Sequence, residues 1–186
     1  MSWELVEHLK TRFPEVEPFP RGEPSPTEEP PAHKHDAAKA PVHHVPGAVV
    51  PAGRLTEICR AVRDEAPFLL DYCSFVTGVD HPEAGQIEVV YHLFSMTAHH
   101  ELLLKVRVPR DDPRAPSISG IWSAANWHER ETYDLFGIAF DGHPDLRRIM
   151  MTDDWVGYPL RKDYVYEDPQ WLVDLVAQRR REAGSS

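Results

Sequence analysis

The segment from Trp127 to Tyr164 constrains this chain most, because it joins a charged helical pattern to a stretch that disfavours helix. Charged residues recur at helical spacing as far as Phe136, with large apolar side chains between them. Gly137 follows, where a left-handed residue commonly ends a helix. Glycines and prolines at positions 142, 144, 157 and 159 then keep the chain extended. No helix face is purely solvated, so we expect partly buried charges that need partners.

The composition argues against several classes of protein. The chain has 186 residues, of which 30 are acidic and 20 basic, giving a formal net charge of −10. This balance disfavours nucleic acid as the main partner. No apolar run reaches the roughly 18 residues of a membrane span, and the first residues, M-S-W-E-L-V-E-H, do not resemble a signal peptide. We expect the chain to stay on the cytoplasmic side.

Cofactor motifs are missing from the sequence. Cys59 and Cys73 are too few for an iron–sulfur cluster, which normally takes four thiolates, so we interpret them as buried thiols. Neither G-x-G-x-x-G nor G-x-x-x-x-G-K occurs. The run H-E-R-E at 128–131 begins like a zinc-protease helix, but Thr132 replaces its second histidine. We expect no cofactor or metal on this chain.

Proline and apolar periodicity divide the chain into four parts. Ten of the 18 prolines lie in residues 14–51, where no periodic pattern occurs. We predict an N-terminal helix over 1–16, a Pro-rich mobile linker over 17–46, an α+β core domain over 47–141, and an extended strip with a C-terminal helix over 142–186.

Within the core, the patterns predict alternating helices and strands. A helix is expected from Pro51 to about Glu65, and another from Ser117 or Ser119 to Phe136. Strands are predicted over 67–77, 86–95 and 100–108, the last two as a hairpin, and a final helix over 169–181. This order indicates a two-layer α+β domain packed by helices and followed by an extended C-terminal segment.

Three carboxylates of the charged helix are candidates for acid–base chemistry. Glu129 and Glu131 point to different sides of a helix and so do not form a working pair. Arg130 and Asp134 stand four residues apart and can pair along one face. A free-standing enzyme that uses Glu129, Glu131 and Asp134 stays open as an alternative.

The basic residues after the helix favour a protein interface over a phosphate site. A phosphate site usually has a glycine-rich loop leading into a helix, whereas Pro144 and Pro159 stiffen this segment. Extended segments with paired arginines are well suited to carboxylates on another surface. We predict that residues 142–164, called the strip below, lie in an interface that buries His143, Arg147 and Arg161.

These same residues resemble a known signature. The pieces are A-N-W-x-E-R-E at 125–131, Y-D-L-F-G-I at 133–138, F-x-G-H-P-D-L-R-R-I at 140–149 and G-x-P-L-R-K-D-Y at 157–164. T-G-V-D at 77–80, V-V-Y-H-L at 89–93 and P-S-I at 116–118 also fit. Over about residues 47–165 the chain is similar to the C subunit of respiratory complex I, the thirty-kilodalton subunit family, whose plastid member is the J subunit.

The resemblance implies a mixed sheet and a non-redox subunit in the cytoplasmic arm of a proton-translocating NADH:quinone oxidoreductase. It implies support for assembly of the quinone-reducing module, with NADH, FMN, iron–sulfur clusters and quinone held by other subunits. Partners would be chiefly the D-type subunit of complex I and the neighbouring cluster-bearing subunits, which would keep the chain peripheral to the cell membrane. The expected interface residues are Glu129, Arg130, Glu131, Asp134, His143, Arg147, Arg148, Arg161, Lys162 and Asp163.

Two further alternatives stay open. One is the same subunit type in a ferredoxin-dependent or hydrogenase-type relative of complex I, because the electron donor would dock on another subunit. The other is a general adaptor module.

Overall fold

Three long antiparallel strands form the centre of the fold. The computed structural model describes residues 2–19, 45–166, 174–176 and 178–180. The strands are β3 (Tyr72–His81), β4 (Gln86–Ser95) and β5 (His100–Pro109), and β4 and β5 form the predicted hairpin. Alternate residues of this hairpin lie in the core, as period-two patterning requires: they include Ile87, Val89, Tyr91, Leu93, Leu102, Leu104 and Val106.

Two short strands make the sheet mixed. They are β1 (Glu17–Pro18) and β2 (Gly47–Val49), and the order across the sheet is β1-β2-β5-β4-β3. Strand β2 is parallel to β5, whereas the other neighbours are antiparallel. The linker predicted from residue 17 therefore begins too early, because Glu17 and Pro18 pair with β2 and Phe19 is buried. The rest of that prediction, residues 20–44, lies outside the described residues.

Two amphipathic helices complete the core. Helix α1 (Ser2–Arg12) buries Leu5, Val6 and Leu9. Helix α2 (Leu55–Asp64) follows a 3₁₀ turn at Ala52–Arg54 and buries the apolar positions expected from its spacing. Both cysteines are buried free thiols, as predicted. The observed architecture matches the predicted α+β fold: a mixed sheet packed by helices.

Helix α3 (Ala125–Phe136) carries the charged motif and packs against β3. The Thr132 hydroxyl donates to the Val76 carbonyl of that strand at 3.2 Å. The parallel pair β6 (Arg114–Pro116) and β7 (Ala139–Asp141) holds the chain before and after the helix. Gly137 ends the helix with φ +76°, the left-handed conformation that its position predicts.

Two predicted element starts were wrong, and both errors have a tertiary cause. Helix α3 begins at Ala125 and not near residue 117, because the Ser117 hydroxyl and the Ile118 N–H instead donate to the Glu129 carboxylate. Strand β3 begins at Tyr72 and not at residue 67, because the preceding residues turn back on α2, where the Leu70 N–H donates to the Val62 carbonyl.

The strip after β7 is irregular: it contains several turns and has no helix or strand among its residues. Of the helix predicted over 169–181, residues 174–176 and 178–180 are helical, and the others lie outside the described residues. In the portion of the chain that the structure describes, no helix has the length and apolarity needed to cross a membrane.

Candidate functional site

Asp134 of α3 holds the middle of the strip. Its Oδ2 accepts from the backbone N–H groups of Ile149, Met150 and Met151 at 2.9, 2.6 and 2.9 Å, and its Oδ1 accepts from Arg148 at 3.0 Å. The carboxylate is fully buried. Burial raises the pKa of Asp134, but the three N–H donors and the Arg148 charge together outweigh it and hold the pKa below its usual value. The side chain therefore remains a buried anion that fixes four consecutive residues of the strip.

Arg130 does not form the pair with Asp134 that the sequence spacing allows. Its guanidinium lies over the Trp127 ring, 4.8 Å from the centroid, and its Nε donates to the Arg147 carbonyl at 3.3 Å. Arg148 takes its place as the cation beside Asp134. Both arginines thus connect α3 to the strip.

Glu129 and His143 form a second buried contact between the helix and the strip. Glu129 accepts from Ser117 at 2.6 Å and from the Ile118 N–H at 2.7 Å, and its Oε2 lies 4.0 Å from His143 Nε2. His143 Nδ1 accepts from the Asp145 N–H, so the ring proton of a neutral His143 lies on Nε2, which faces the Asn126 carbonyl at 3.2 Å. Both side chains are inaccessible to solvent. Burial raises the pKa of Glu129 to about 7, against the opposing effect of its two hydrogen bonds.

The far end of the strip is held by Asp80 at the end of β3. Asp80 accepts two hydrogen bonds from Arg110, at 2.8 and 3.1 Å, and one from the Lys162 N–H at 2.9 Å. Arg110 also pairs with Asp163. The Arg110 hydrogen bond holds the pKa of Asp80 below its usual value. Our sequence reasoning missed Asp80 and Arg110 as functional positions. The T-G-V-D piece contains Asp80, but Arg110 carries no signal because it lies in a Pro-rich turn.

Tyr158 of the strip packs against the end of α3. A Cβ at residue 137 would lie 2.5 Å from its ring, so only glycine permits this approach. The guanidinium groups of Arg161 and Arg148 lie 4.8 and 5.7 Å from the ring centroid. Arg161 Nε donates to the Phe136 carbonyl at 2.8 Å, where a cation suits the C-terminal end of the helix.

The predicted site residues are therefore brought together, but mostly by contacts within this chain. His143 is buried by the domain itself, and Arg161 and Arg148 face the domain. Arg147 is 73% exposed and pairs with Asp145. The predicted residues that remain exposed are Glu131, Arg147, Lys162 and Asp163. The role of all ten as a subunit interface stays a prediction.

The outward side of the strip and of the two residues after it is rich in exposed apolar side chains. Such a concentration on an extended segment is typical of an interaction surface. These side chains are Met150, Val156, Leu160, Val165 and Tyr166, each more than half exposed. Among the described residues, no group of three or more His, Cys, Asp and Glu side chains is placed to hold a metal ion.

Comparison with known families decides the relationship. The family described as "Respiratory-chain NADH dehydrogenase, 30 Kd subunit" matches residues 48–170. The chain belongs to this family. The resemblance found in the sequence motifs is thereby confirmed, and the matched region contains the three long strands β3, β4 and β5, together with α3 and the strip.

Curated relatives in the thirty-kilodalton subunit family are named as C subunits of NADH-quinone oxidoreductase. The one from Mycolicibacterium gilvum is 49% identical over 113 residues, 60% of this chain and 50% of the relative. One from Rhizobium etli, numbered 2 in its name, is 43% identical over 123 residues, 66% of this chain and 65% of the relative. The chain spans about half the length of the first curated relatives it matches.

Two solved structures share the fold. A chain of the membrane-bound sulfane sulfur reductase, an archaeal respiratory membrane complex, has a TM-score of 0.65 at 26% identity, with 94% of this chain and 90% of that chain covered. The trypsin-resistant fragment (1–134) of Nqo5 has a TM-score of 0.50 at 33% identity, with 55% and 83% covered. The fold is thus shared with chains that are 26% and 33% identical to this one.

Proposed function

We propose that this chain is a non-redox subunit of the cytoplasmic arm of a proton-translocating NADH:quinone oxidoreductase, where it supports assembly of the quinone-reducing module. Membership in the thirty-kilodalton subunit family supports the assignment of the chain to this type of complex. The proposed role in assembly rests on one observation: the two sides of the strip differ in what they contact. Its inner side is held by Asp134, Glu129 and Asp80, and its outer side exposes apolar groups.

This two-sided arrangement suits a scaffold better than a catalyst. An acid–base enzyme needs a carboxylate that reaches its substrate, whereas Glu129 and Asp134 are buried and already hydrogen-bonded within the chain. Glu131 is exposed and lies on another side of the helix. The alternative of a free-standing enzyme therefore gains no support from the geometry.

The proposed partners are the D-type subunit of complex I and the neighbouring cluster-bearing subunits. Most of the ten predicted residues of α3 and the strip would fix the shape of the strip. The outer apolar side chains of the strip would then make the contact with the partner. The chain would bind no cofactor itself. It would be peripheral on the cytoplasmic side of the cell membrane, held there by its partners.

A second assembly is supported by one observation. The similarity to a chain of the membrane-bound sulfane sulfur reductase covers 94% of this chain, so the same subunit type also suits a relative of complex I with another electron input. The electron-input subunits that co-purify with the chain would distinguish the two assemblies.

The interface is tested by placing charge on the outer side of the strip. Met150→Glu combined with Leu160→Glu changes two exposed side chains, 60% and 51% accessible, without touching the inner contacts. Burying two carboxylates in an apolar interface costs several kcal/mol, so the variant should fail to enter the assembled complex while it folds normally. Met96→Glu is the matched control, since Met96 is 55% exposed and lies just beyond β4. Normal assembly of the double variant would refute the interface.

A further inference from the structure

Three buried carboxyl groups hold the strip, and they differ in how their charge is compensated. Asp134 and Asp80 each pair with an arginine, so both are stabilised as anions. Glu129 is inaccessible to solvent, and its only ion-pair partner among the described residues is His143, at 4.0 Å. A buried carboxylate without a cation is unstable relative to the neutral acid. The charge state of Glu129 therefore depends on whether His143 supplies a positive charge.

The hydrogen bonds of His143 favour a neutral ring. Its Nδ1 accepts from the Asp145 N–H at 3.0 Å, so a second ring proton would displace that donor. The proton on Nε2 faces the Asn126 carbonyl at 3.2 Å, whereas the Glu129 carboxyl oxygen lies farther away. His143 therefore gives Glu129 no positive charge while the turn at residues 143–145 stays closed.

The other titratable groups near Glu129 are neutral as well. They come from three elements: Cys59 from α2, Cys73 from β3 and Tyr91 from β4. Burial raises the pKa of all three, negative charges nearby that include Glu129 add to the effect, and the pKa of Cys73 reaches about 12. A thiol or a phenol cannot become a cation, so none of them offsets a negative charge on Glu129.

Two serine hydroxyls connect this buried carboxyl group to the surface. Ser117 Oγ lies 2.6 Å from Glu129 Oε2 and 2.7 Å from Ser119 Oγ. Because a hydroxyl can donate or accept, Ser117 can donate to the carboxylate and accept from the protonated acid. Both serines are half-buried, and the next residue, Gly120, is exposed. Glu129 can therefore exchange a proton with solvent through the two hydroxyls without unfolding of α3.

We propose that Glu129 is a buried proton-binding site and that loss of its proton opens the first turn of the strip, residues 142–147. The proton leaves to solvent along the two serine hydroxyls, and the anion that stays behind has no cation. Water must then enter, or His143 must take up a proton from solvent at Nδ1 and displace the Asp145 N–H. Either change opens the packing around His143.

The rest of the strip stays attached when this turn opens. Asp134 and Asp80 keep their arginines and their backbone N–H donors, whatever the charge on Glu129. The strip therefore has two contacts with the domain that do not respond to pH near neutrality and one that does.

The pH range follows from the pKa of Glu129. Burial raises this pKa to about 7 in the closed structure, against the usual 4.5. A group of this kind stabilises the closed turn fully below about pH 4.5, and the stabilisation is lost as pH rises through 7. If opening restores the usual pKa, the equilibrium constant for opening increases about tenfold between pH 6 and pH 8.

Hydrogen exchange of the purified full-length chain, read from overlapping peptides by mass spectrometry, tests the opening. Exchange is measured at pH 6 and pH 8 and corrected for the intrinsic rate of each peptide. We expect opening of residues 142–147 to increase about tenfold, and that of residues 149–151, which Asp134 holds, to stay unchanged. Glu129→Gln keeps the shape and is always neutral, so it should abolish the increase. Glu131→Gln, at an exposed glutamate of the same helix, is the matched control and should retain it.

A direct titration keeps the inference testable if the Glu129→Gln variant does not fold. Carbon-13 NMR of the wild-type chain, labelled in its glutamate carboxyl groups, should show one carboxyl that titrates near pH 7. Titration of every glutamate below about pH 5, or opening that is equal at pH 6 and pH 8, would overturn the inference. An increase that persists in Glu129→Gln would overturn it too, because His143 would then be the titrating group. The inference does not depend on the proposed function, since the purified chain alone tests it.

Discussion

Replacing Asp134 by alanine should detach the strip from α3 and destabilise the whole chain. The substitution removes the acceptor of four donors: the N–H groups of Ile149, Met150 and Met151 and the guanidinium of Arg148. The carboxylate is fully buried, and the Arg148 side chain is only 17% exposed. Water therefore replaces little of the interaction that Arg148 loses when Asp134 is removed.

The magnitude follows from the loss of one member of a buried charged pair. Such a loss typically costs about 3–5 kcal/mol, because the remaining charge stays desolvated. Asp134→Asn keeps the shape and one carbonyl oxygen, so it should cost roughly 1.5–3 kcal/mol, the value of a hydrogen bond to a charged group. The wild-type chain should therefore be the most stable, Asp134→Asn should be intermediate, and Asp134→Ala should be the least stable.

Urea denaturation of the purified chain, followed by tryptophan fluorescence, measures the change. With a slope of roughly 2 kcal/mol per molar urea, a loss of about 4 kcal/mol lowers the midpoint by about 2 M. Limited trypsin digestion adds a local readout, because Arg148 and Arg161, which face the domain, become accessible when the strip detaches. Asp145→Asn is the control, since the Asp145–Arg147 pair is exposed and should leave the midpoint unchanged.

An Asp134→Ala variant with a wild-type midpoint and a protected strip would refute this reasoning. It would mean that apolar packing alone holds the strip. A midpoint loss from Asp145→Asn as large as that from Asp134→Ala would also contradict it, because burial would then not decide the cost.

Three further predictions concern the same region. The pKa of Glu129 in the folded state is about 7 against the usual 4.5, so its contribution to stability is full below about pH 4.5 and is lost as pH rises toward 7. Glu129→Gln should remove roughly 3 kcal/mol of that pH dependence, at about 1.4 kcal/mol per pKa unit, and an unchanged pH profile in urea denaturation would contradict this. Gly137→Ala should cost about 1–3 kcal/mol in the same assay, through positive φ and displacement of Tyr158, whereas a neutral result would show that the ring can move freely. The purified chain should be colourless and should not oxidise NADH, and flavin or iron–sulfur absorbance would disprove it.

The sheet and helix patterns were largely predictable because their signals are local. The sequence predicts strands over 86–95 and 100–108, and the structure has them at Gln86–Ser95 and His100–Pro109. Alternating burial fixes such a hairpin within a short window. The end of α3 at Gly137 was predictable for the same reason, since a glycine after the last helical turn is a local signal.

The partners of the charged residues were not predictable from local spacing. Asp134 pairs with Arg148, fourteen residues away, and not with the nearer Arg130. Asp80 reaches Lys162 across 82 positions. A sequence shows that charges are interleaved with apolar residues, but not which of them the tertiary fold brings together. The lack of helix in the strip, by contrast, follows from its glycines and prolines, which are a local signal.

Affinity purification of the tagged chain from detergent-solubilised membranes tests the central claim most directly. We propose that this member of the thirty-kilodalton subunit family works as a non-redox subunit beside the quinone-reducing module. We predict that the D-type subunit and the cluster-bearing subunits co-purify with the wild-type chain, together with NADH:quinone activity, and that the Met150→Glu/Leu160→Glu variant loses both. Recovery of the wild-type chain without these subunits, or recovery of an active complex with the double variant, would contradict the account.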